Sequence, residues 1–309
     1  MRISFVKKIL FFILSMGYVF LSCAGGTDEI GSIDPTPTPQ PPEEEKIALN
    51  VASYNLRLLT NADTGNKSWV LRKVHAEKII SKYDFDVFGT QELVLSQITD
   101  LLALNSSYNY TGVGRDQGDT KGEHCAIFYK KDKFELLDEG TFWLSTTPDI
   151  PSKGWDASLN RICSWGKFKE KESQKEFYFF NTHFDHVGNI ARKESAKLLL
   201  SKIKSIAGNQ PAFCTGDFNL KPETEGMQTL IKSNVVWDTR EISIDPIFGT
   251  EGTFHGYDLS KPVVEYINRI DYIFVTTKID VQSYGVINDE IVSQTIASDH
   301  FPVFIKAKL

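Results

Sequence analysis

Glu176-Phe-Tyr-Phe-Phe-Asn181-Thr-His183-Phe-Asp185-His186 opens a stretch that continues through residues 190–207 and closes on Pro211-Ala-Phe-Cys-Thr-Gly-Asp217-Phe-Asn219. Residues 176–183 are rich in aromatic β formers and read as a strand. Residues 190–207 carry Ala196, Leu199, Leu200, Ile203 and Ile206 on one stripe, with Lys and Glu opposite, which predicts an amphipathic helix. Residues 211–215 read as a second strand. Both strands run out of apolar residues into Asn, His and Asp. Strand ends in a layered α/β core are where such side chains can converge on one cleft.

The same grammar recurs along the chain. Asn55 follows Val51-Ala-Ser-Tyr, and Gln91-Glu92 follows Val87-Phe-Gly-Thr. Asp271 precedes Tyr-Ile-Phe-Val, and Asp299-His300 precedes Phe-Pro-Val-Phe-Ile. Further strands are expected at 47–54, 86–90, 108–113, 125–130, 134–143, 162–168, 270–275, 281–286 and 301–307. Helices are expected at 68–83, with Ser68 as N-cap and Leu71, Val74, Ile79 and Ile80 as its apolar residues, at 93–105, and from Pro222 to about 233. Strand runs broken by a few helices predict an α/β layering, sheets inside and helices outside. After Lys46 there is no linker-like boundary, so residues 46–309 are expected to form one domain.

The 309 residues hold 34 basic and 40 acidic side chains and 21 Phe, 11 Tyr and 5 Trp. That aromatic load excludes a disordered or collagen-like chain. Residues 1–22, with Arg2, Lys7 and Lys8 before an apolar run, read as an export signal too short to span a membrane. The signal ends at Ser22-Cys23-Ala24-Gly25, where Cys23 is the expected lipidation site. Residues 23–45, with Asp-Pro-Thr-Pro-Thr-Pro-Gln-Pro-Pro-Glu-Glu-Glu, then read as an extended tether. The chain is therefore expected at the cell envelope as a membrane-anchored lipoprotein, and as a monomer. The signal holds 3 basic residues and segment 23–45 holds 6 acidic ones, which leaves 31 basic against 34 acidic in the domain. A near-balanced domain disfavours tight, non-specific binding to long nucleic acid. Cys125, Cys163 and Cys214 sit in apolar runs and are expected to be buried and unpaired.

Glu92, Asp217, Asp299 and the amide oxygens of Asn55 and Asn219 form a hard-oxygen set that suits Mg2+ or Mn2+. A His with a carboxylate partner, as in Asp299-His300, serves as a general base or faces phosphate. Together they point to metal-assisted hydrolysis of a phosphate ester.

The ordered set Tyr-Asn55-Leu-Arg57, Gln91-Glu92, Asn181-Thr-His183, Gly-Asp217-Phe-Asn219, Asp271-Tyr-Ile and Ser-Asp299-His300 resembles the endonuclease/exonuclease/phosphatase superfamily, which includes deoxyribonuclease I-like nucleases, deadenylases, sphingomyelinases and inositol polyphosphate phosphatases. The resemblance implies a four-layer α/β sandwich of two packed, mainly antiparallel sheets flanked by helices. It implies Glu92 as main metal ligand, assisted by Asn55 and Asp299. Asp217 would orient or activate water, Asn219 would hold the phosphate or a metal-bound water, and His300, polarised by Asp271, would face the phosphate. His183 would donate to a phosphoryl oxygen. Arg161, Asn181, Trp155 and His255 are candidate substrate contacts, while Arg115, His124 and His186 take no assigned role. The expected activity is that of a phosphodiesterase on nucleic acid or a nucleotide. The alternatives are a phosphomonoesterase or phospholipid head-group hydrolase and, more distantly, a non-catalytic binding protein.

Overall fold

The structure, a computed structural model, describes residues 46–309. The expected signal, Cys23 and the tether lie outside the described residues.

In chain order the elements are β1 (Ala48–Asn55), α1 (Trp69–Lys82), β2 (Val87–Gln91), α2 (Leu95–Leu104), β3 (Tyr108–Thr111), β4 (Ile127–Lys130), β5 (Phe134–Trp143), β6 (Ile162–Glu170) and β7 (Glu176–His183). They continue with α3 (Asn189–Ala207), β8 (Ala212–Asp217), α4 (Glu225–Ile231), β9 (Trp237–Asp238), β10 (Phe248–Gly249), β11 (Asp271–Val275), β12 (Asp280–Val286), α5 (Asp289–Ser293) and β13 (Val303–Lys308). One sheet runs β10-β12-β13-β1-β2-β4-β3 and the other β5-β6-β7-β8-β11-β9. Each has a parallel pair in its middle, β1 with β2 and β7 with β8. A parallel neighbour needs a crossover, and α1 and α3 supply the two. Most other pairings are antiparallel, so the four-layer sandwich is the observed architecture.

Side-chain alternation builds the layers. Leu49 and Val51, Phe177 and Phe179, Phe213, Ile273 and Val275, and Val303 and Ile305 face inward and make the core between the sheets. The residues between them, among them Tyr54, Phe88 and Phe304, pack under α1 and α2. On the other side Phe180, Cys214, Tyr272 and Phe274 pack under α3 and α4. The inward period carries on to Asn55, Gln91, Asn181, His183, Thr215, Asp217 and Asp271. Polar side chains therefore take over the seam between the sheets at one end.

Two local expectations are corrected. On α1 the buried face is Trp69, Arg72, Ala76, Ile79 and Ile80, while Leu71 and Val74 are exposed. The positions 69, 72, 76, 79 and 80 fit a helical face better than 71 and 74 do, at the cost of burying a charge. Arg72 meets that cost with hydrogen bonds to the carbonyls of Leu56 (2.8 Å), Ala297 (2.9 Å), Lys67 (2.7 Å) and Arg57 (3.2 Å). Ser68 precedes α1 as expected, but its side chain makes no cap bond. The short helix begins at Glu225, because residues 221–224 close a turn first, Thr224 N–H donating to Lys221 O at 3.1 Å. Cys125, Cys163 and Cys214 are buried and free. No helix among the described residues is long and apolar enough to cross a membrane.

Candidate active site

Sheet register brings the polar strand ends together. The β7–β8 pairing sets His183 beside Asp217, and the β8–β11 pairing sets Asp217 beside Asp271. Across the seam Asn55 pairs with Gln91, and Glu92 follows in the left-handed region at φ 69°. A bridge between Phe254 and His300 fixes the approach to β13. The result is a cleft of about 550 Å³ lined by Glu92, His183, Asp217, Asn219, Asp299 and His300, with Arg57, Glu123, Arg161, His186 and Lys221 around them. Arg57 and Asn219, at φ 58° and 48°, also hold the left-handed conformation. For Arg57 and Glu92 this is a costly conformation that the surrounding hydrogen bonds must hold in place.

Asn55 is fully buried and donates its amide to Glu92 Oε1 and Asp217 Oδ2, both at 3.0 Å. Asp217 Oδ1 accepts from Asn219 N–H at 2.9 Å, and Glu92 Oε2 accepts from Leu58 N–H at 3.0 Å. His300 Nδ1 lies 2.9 Å from Asp271 Oδ2, which also accepts from Thr253 Oγ1 at 2.6 Å. The other His300 nitrogen, Nε2, is 3.9 Å from Asp217 Oδ2, and His183 Nε2 is 3.6 Å from the same oxygen. Asn219 Nδ2 sits 3.2 Å from His183 Nε2 and donates to Phe184 O at 3.1 Å.

These environments push the titrating groups apart, which is how acid and base roles are separated in one site. Burial, helped by Asp271, pushes the Asp217 carboxyl up to about 7 against the pull of His300. Burial works to lower His300, but Asp271, through charge and hydrogen bond, with Asp217 and Asp299, raises it to about 10. Burial holds His183 well below the usual imidazole range, with Arg161 and Arg115 adding to the effect. Glu92 is pushed up by burial, yet His300, Asn55 and Leu58 N–H together keep it below the usual carboxyl range. At neutral pH His300 is therefore charged and His183 neutral.

Several site expectations are displaced. Asn55 presents nitrogen, not oxygen, to the carboxylates, and its Oδ1 is taken by Arg57 N–H at 3.0 Å. In this arrangement it orients Glu92 and Asp217. Asn181 lies one inward position deeper than His183, inside the seam. Its oxygen accepts from Gln91 Nε2 (2.7 Å) and Thr215 Oγ1 (3.0 Å), and its nitrogen donates to Thr90 O (2.8 Å) and Ala126 O (3.0 Å). All four of its hydrogen-bonding positions are used, so Asn181 stitches the two sheets and leaves nothing for substrate. His255 is buried against Phe301, ring centroids 4.2 Å apart, and Trp155 sits half-buried in its loop at φ 48°; neither lines the cleft. His124 also stays outside it, its ring against Gly122 O.

Glu123 and Arg57 line the cleft without having been assigned a role, and Arg161, expected as a substrate contact, lines it beside them. Glu123 is held by Arg115 in a two-bond fork, both bonds 2.7 Å. Arg161 is buried, with His186 Nδ1 at 2.9 Å from its Nη2, Asp185 Oδ2 at 3.5 Å from its Nε, and Nη1 without a protein partner. Arg57 bridges Asp63 (3.1 Å) and Asp299 (3.9 Å) at the rim. Arg57 had been visible only as part of a motif; Glu123 carried no signal beyond being an acid before a strand.

The residues present suit a divalent cation. Ligand atoms of Glu92, Asp217 and His300 lie within 4.8 Å of one another. Glu92, Asp217 and Asp299 put carboxylates on the cleft and Asp271 lies behind His300, with the basic groups of Arg57, Arg161 and Lys221 around them. Carboxylate oxygens gathered in this way are the hard donors that a Mg2+-type ion takes.

Residues 52–300 match the Endonuclease/Exonuclease/phosphatase family. The chain belongs to that family. It is accordingly a phosphoric ester hydrolase, and enzymes of the family use divalent metals. The chain is similar to a solved endonuclease/exonuclease/phosphatase family protein of Bacteroides thetaiotaomicron, at 43% identity and TM-score 0.80, over 86% of this chain and 99% of that one. It is also similar to a mannosyl-6-phosphatase of Bacteroides thetaiotaomicron VPI-5482, at 44% identity and TM-score 0.78, over 84% and 99%. Protein angel of Drosophila melanogaster is 27% identical over 216 residues, 65% of this chain but 59% of that protein's length.

Proposed function

We propose that the protein is a divalent-metal-dependent phosphomonoesterase acting on phosphorylated carbohydrate. The observation that carries this reading is the 44% identity, over 84% of this chain and 99% of the other, to a mannosyl-6-phosphatase. The cleft supports it in two ways. Phe254 is the one Phe, Tyr or Trp lining it among the described residues, so the cleft carries no run of aromatic faces on which successive bases would stack. Arg161 adds a buried guanidinium with a free Nη1, positive charge suited to a terminal phosphate dianion. The nucleic-acid or nucleotide diester favoured by the motifs alone becomes the second choice.

Glu92 would hold the cation, with Asp217 and Asp299 close by, and Mg2+ or Mn2+ fits the oxygen donors. When bound, the cation offsets charge on the phosphoryl oxygens. Asp217, with its oxygens held by Asn55 and Asn219, takes the proton of the attacking water as that oxygen bonds to phosphorus; the phosphorus–oxygen bond to the sugar breaks, and the departing sugar oxygen takes a proton from solvent. Imidazolium His300 keeps Nδ1–H on Asp271 and points Nε2–H at a phosphoryl oxygen. Neutral His183 and the Asn219 amide bind the next oxygen, and Arg161 the outermost. No side chain is covalently modified in this scheme. The test is release of inorganic phosphate from hexose 6-phosphates, nucleotides, inositol phosphates, a bis-aryl diester and oligonucleotides under Mg2+ and Mn2+. Preference for hexose 6-phosphates supports the reading; cleavage of diesters or oligonucleotides with no phosphate release refutes it.

We also propose that the enzyme is exported, lipidated on Cys23 and held as a monomer at the cell envelope, by the signal, small-residue and tether pattern of residues 1–45. Incorporation of labelled palmitate that is lost in Cys23→Ala tests the anchor.

A further inference from the structure

Glu123 is out of place in a cleft built to bind phosphate. A free carboxylate there would repel the substrate, yet its side chain lines the cavity. Arg115 neutralises it through two parallel bonds, Nη1 to Oε2 and Nη2 to Oε1, both 2.7 Å. The fork is itself braced: Arg115 N–H donates to Glu123 O at 3.0 Å, and Arg115 O accepts from Trp143 Nε1 at 2.7 Å and from Asn160 Nδ2 at 3.4 Å. On its open side Glu123 Oε2 stands 4.0 Å from His183 Nδ1, next to the phosphoryl-binding groups. Each carboxylate oxygen keeps a lone pair that Arg115 does not use. A rigid, charge-neutralised carboxylate with spare acceptor positions repels little and accepts hydrogen bonds from hydroxyl groups. Fixed acceptors of this kind read hydroxyl positions, whereas an apolar wall cannot.

We infer that the Arg115–Glu123 fork is the specificity-determining element for the leaving group, accepting hydrogen bonds from hydroxyls of the sugar that carries the phosphate. This rests on the phosphomonoesterase reading above and names the part of the site that would select a polyol. His183 and Asn219 bind the phosphoryl group, and the fork binds the sugar beside it. An aryl phosphate offers the fork nothing.

The test pairs Glu123→Gln and Glu123→Asp with a set of monodeoxy hexose 6-phosphates and p-nitrophenyl phosphate, in Mg2+, with thermal unfolding to show that the variants fold. In the unmodified enzyme, deleting the hydroxyl that meets the fork lowers kcat/KM by about tenfold or more, the usual worth of a hydrogen bond to a charged group. In Glu123→Gln and Glu123→Asp that sensitivity falls to about twofold or less, and each loses at least about tenfold more activity toward the parent hexose phosphate than toward the aryl phosphate. Equal loss on both substrates, or unchanged sensitivity to hydroxyl deletion in a folded variant, overturns the role of the fork while leaving the phosphomonoesterase reading intact. Absence of phosphate release from every hexose phosphate by the unmodified enzyme overturns both.

Discussion

Glu290 offers a stability test in which the sign alone separates two accounts of the scaffold behind the site. It is fully buried on α5, and its Oε1 accepts from the N–H groups of Ala297 and Ser298, directly before Asp299-His300. Oε2 has no partner, and among the described residues no basic group lies within ion-pair distance. Burial pushes its carboxyl from 4.5 up to about 8, against the pull of the two N–H groups and Arg72. A carboxyl raised on folding stabilises the protonated native state. Below pH 4.5 both folded and unfolded chains carry the proton and there is no penalty. Between 4.5 and about 8 only the unfolded chain ionises, so stability falls as pH rises; above 8 the loss is complete, on the order of 5 kcal/mol. Glu290→Gln mimics the neutral acid and removes that loss. Urea unfolding followed by tryptophan fluorescence should show no difference between variant and parent near pH 4.5, and a more stable variant at pH 8.5. Even half of the effect would move the thermal midpoint by about 5 °C or more. If Glu290 is instead an anion stabilised by Arg72, the variant is less stable at pH 8.5 by about 3–5 kcal/mol, and the reasoning fails.

Three further outcomes follow from the geometry. Arg72→Lys removes the planar fork that binds four carbonyls and should cost at least about 3 kcal/mol in chemical denaturation, because buried acceptors lose their donors; a loss below about 1 kcal/mol contradicts the brace. Asp271→Asn takes away the main source of the raised His300, so the alkaline limb of the kcat–pH profile should move to lower pH; a profile that does not move removes charged His300 from its contact with the phosphoryl oxygen. Asn181→Ala should destabilise by about 1–3 kcal/mol while KM for substrate holds, since its four bonds are internal; a large rise in KM at full folding would return Asn181 to the cleft.

The architecture was legible because alternation is a strong signal: Phe177, Phe179, Asn181 and His183 share one face of β7, and the same face of β8 runs Phe213, Thr215, Asp217. What alternation cannot tell is how deep along the strand the opposite sheet still covers it. Asn181 and His183 lie two residues apart on the same face, yet one is sealed in the seam and the other lines the cleft. Arg72 was unreadable for a different reason. A charged residue between Leu71 and Val74 looks like the solvent face until the carbonyls of distant loops arrive to satisfy it. Glu123 becomes meaningful through Arg115, eight residues earlier, and through His183, sixty residues later, a contact that only the stacking of the two sheets creates.

Steady-state release of inorganic phosphate from a hexose 6-phosphate, followed in Mg2+, after chelation, and in Glu92→Ala, tests the central claim most directly. The account predicts that chelation stops turnover, that added Mg2+ or Mn2+ restores it, and that folded Glu92→Ala is slower by about a thousandfold or more under saturating metal. Phosphate release that survives chelation, or that Glu92→Ala carries out at the parent rate, would contradict it.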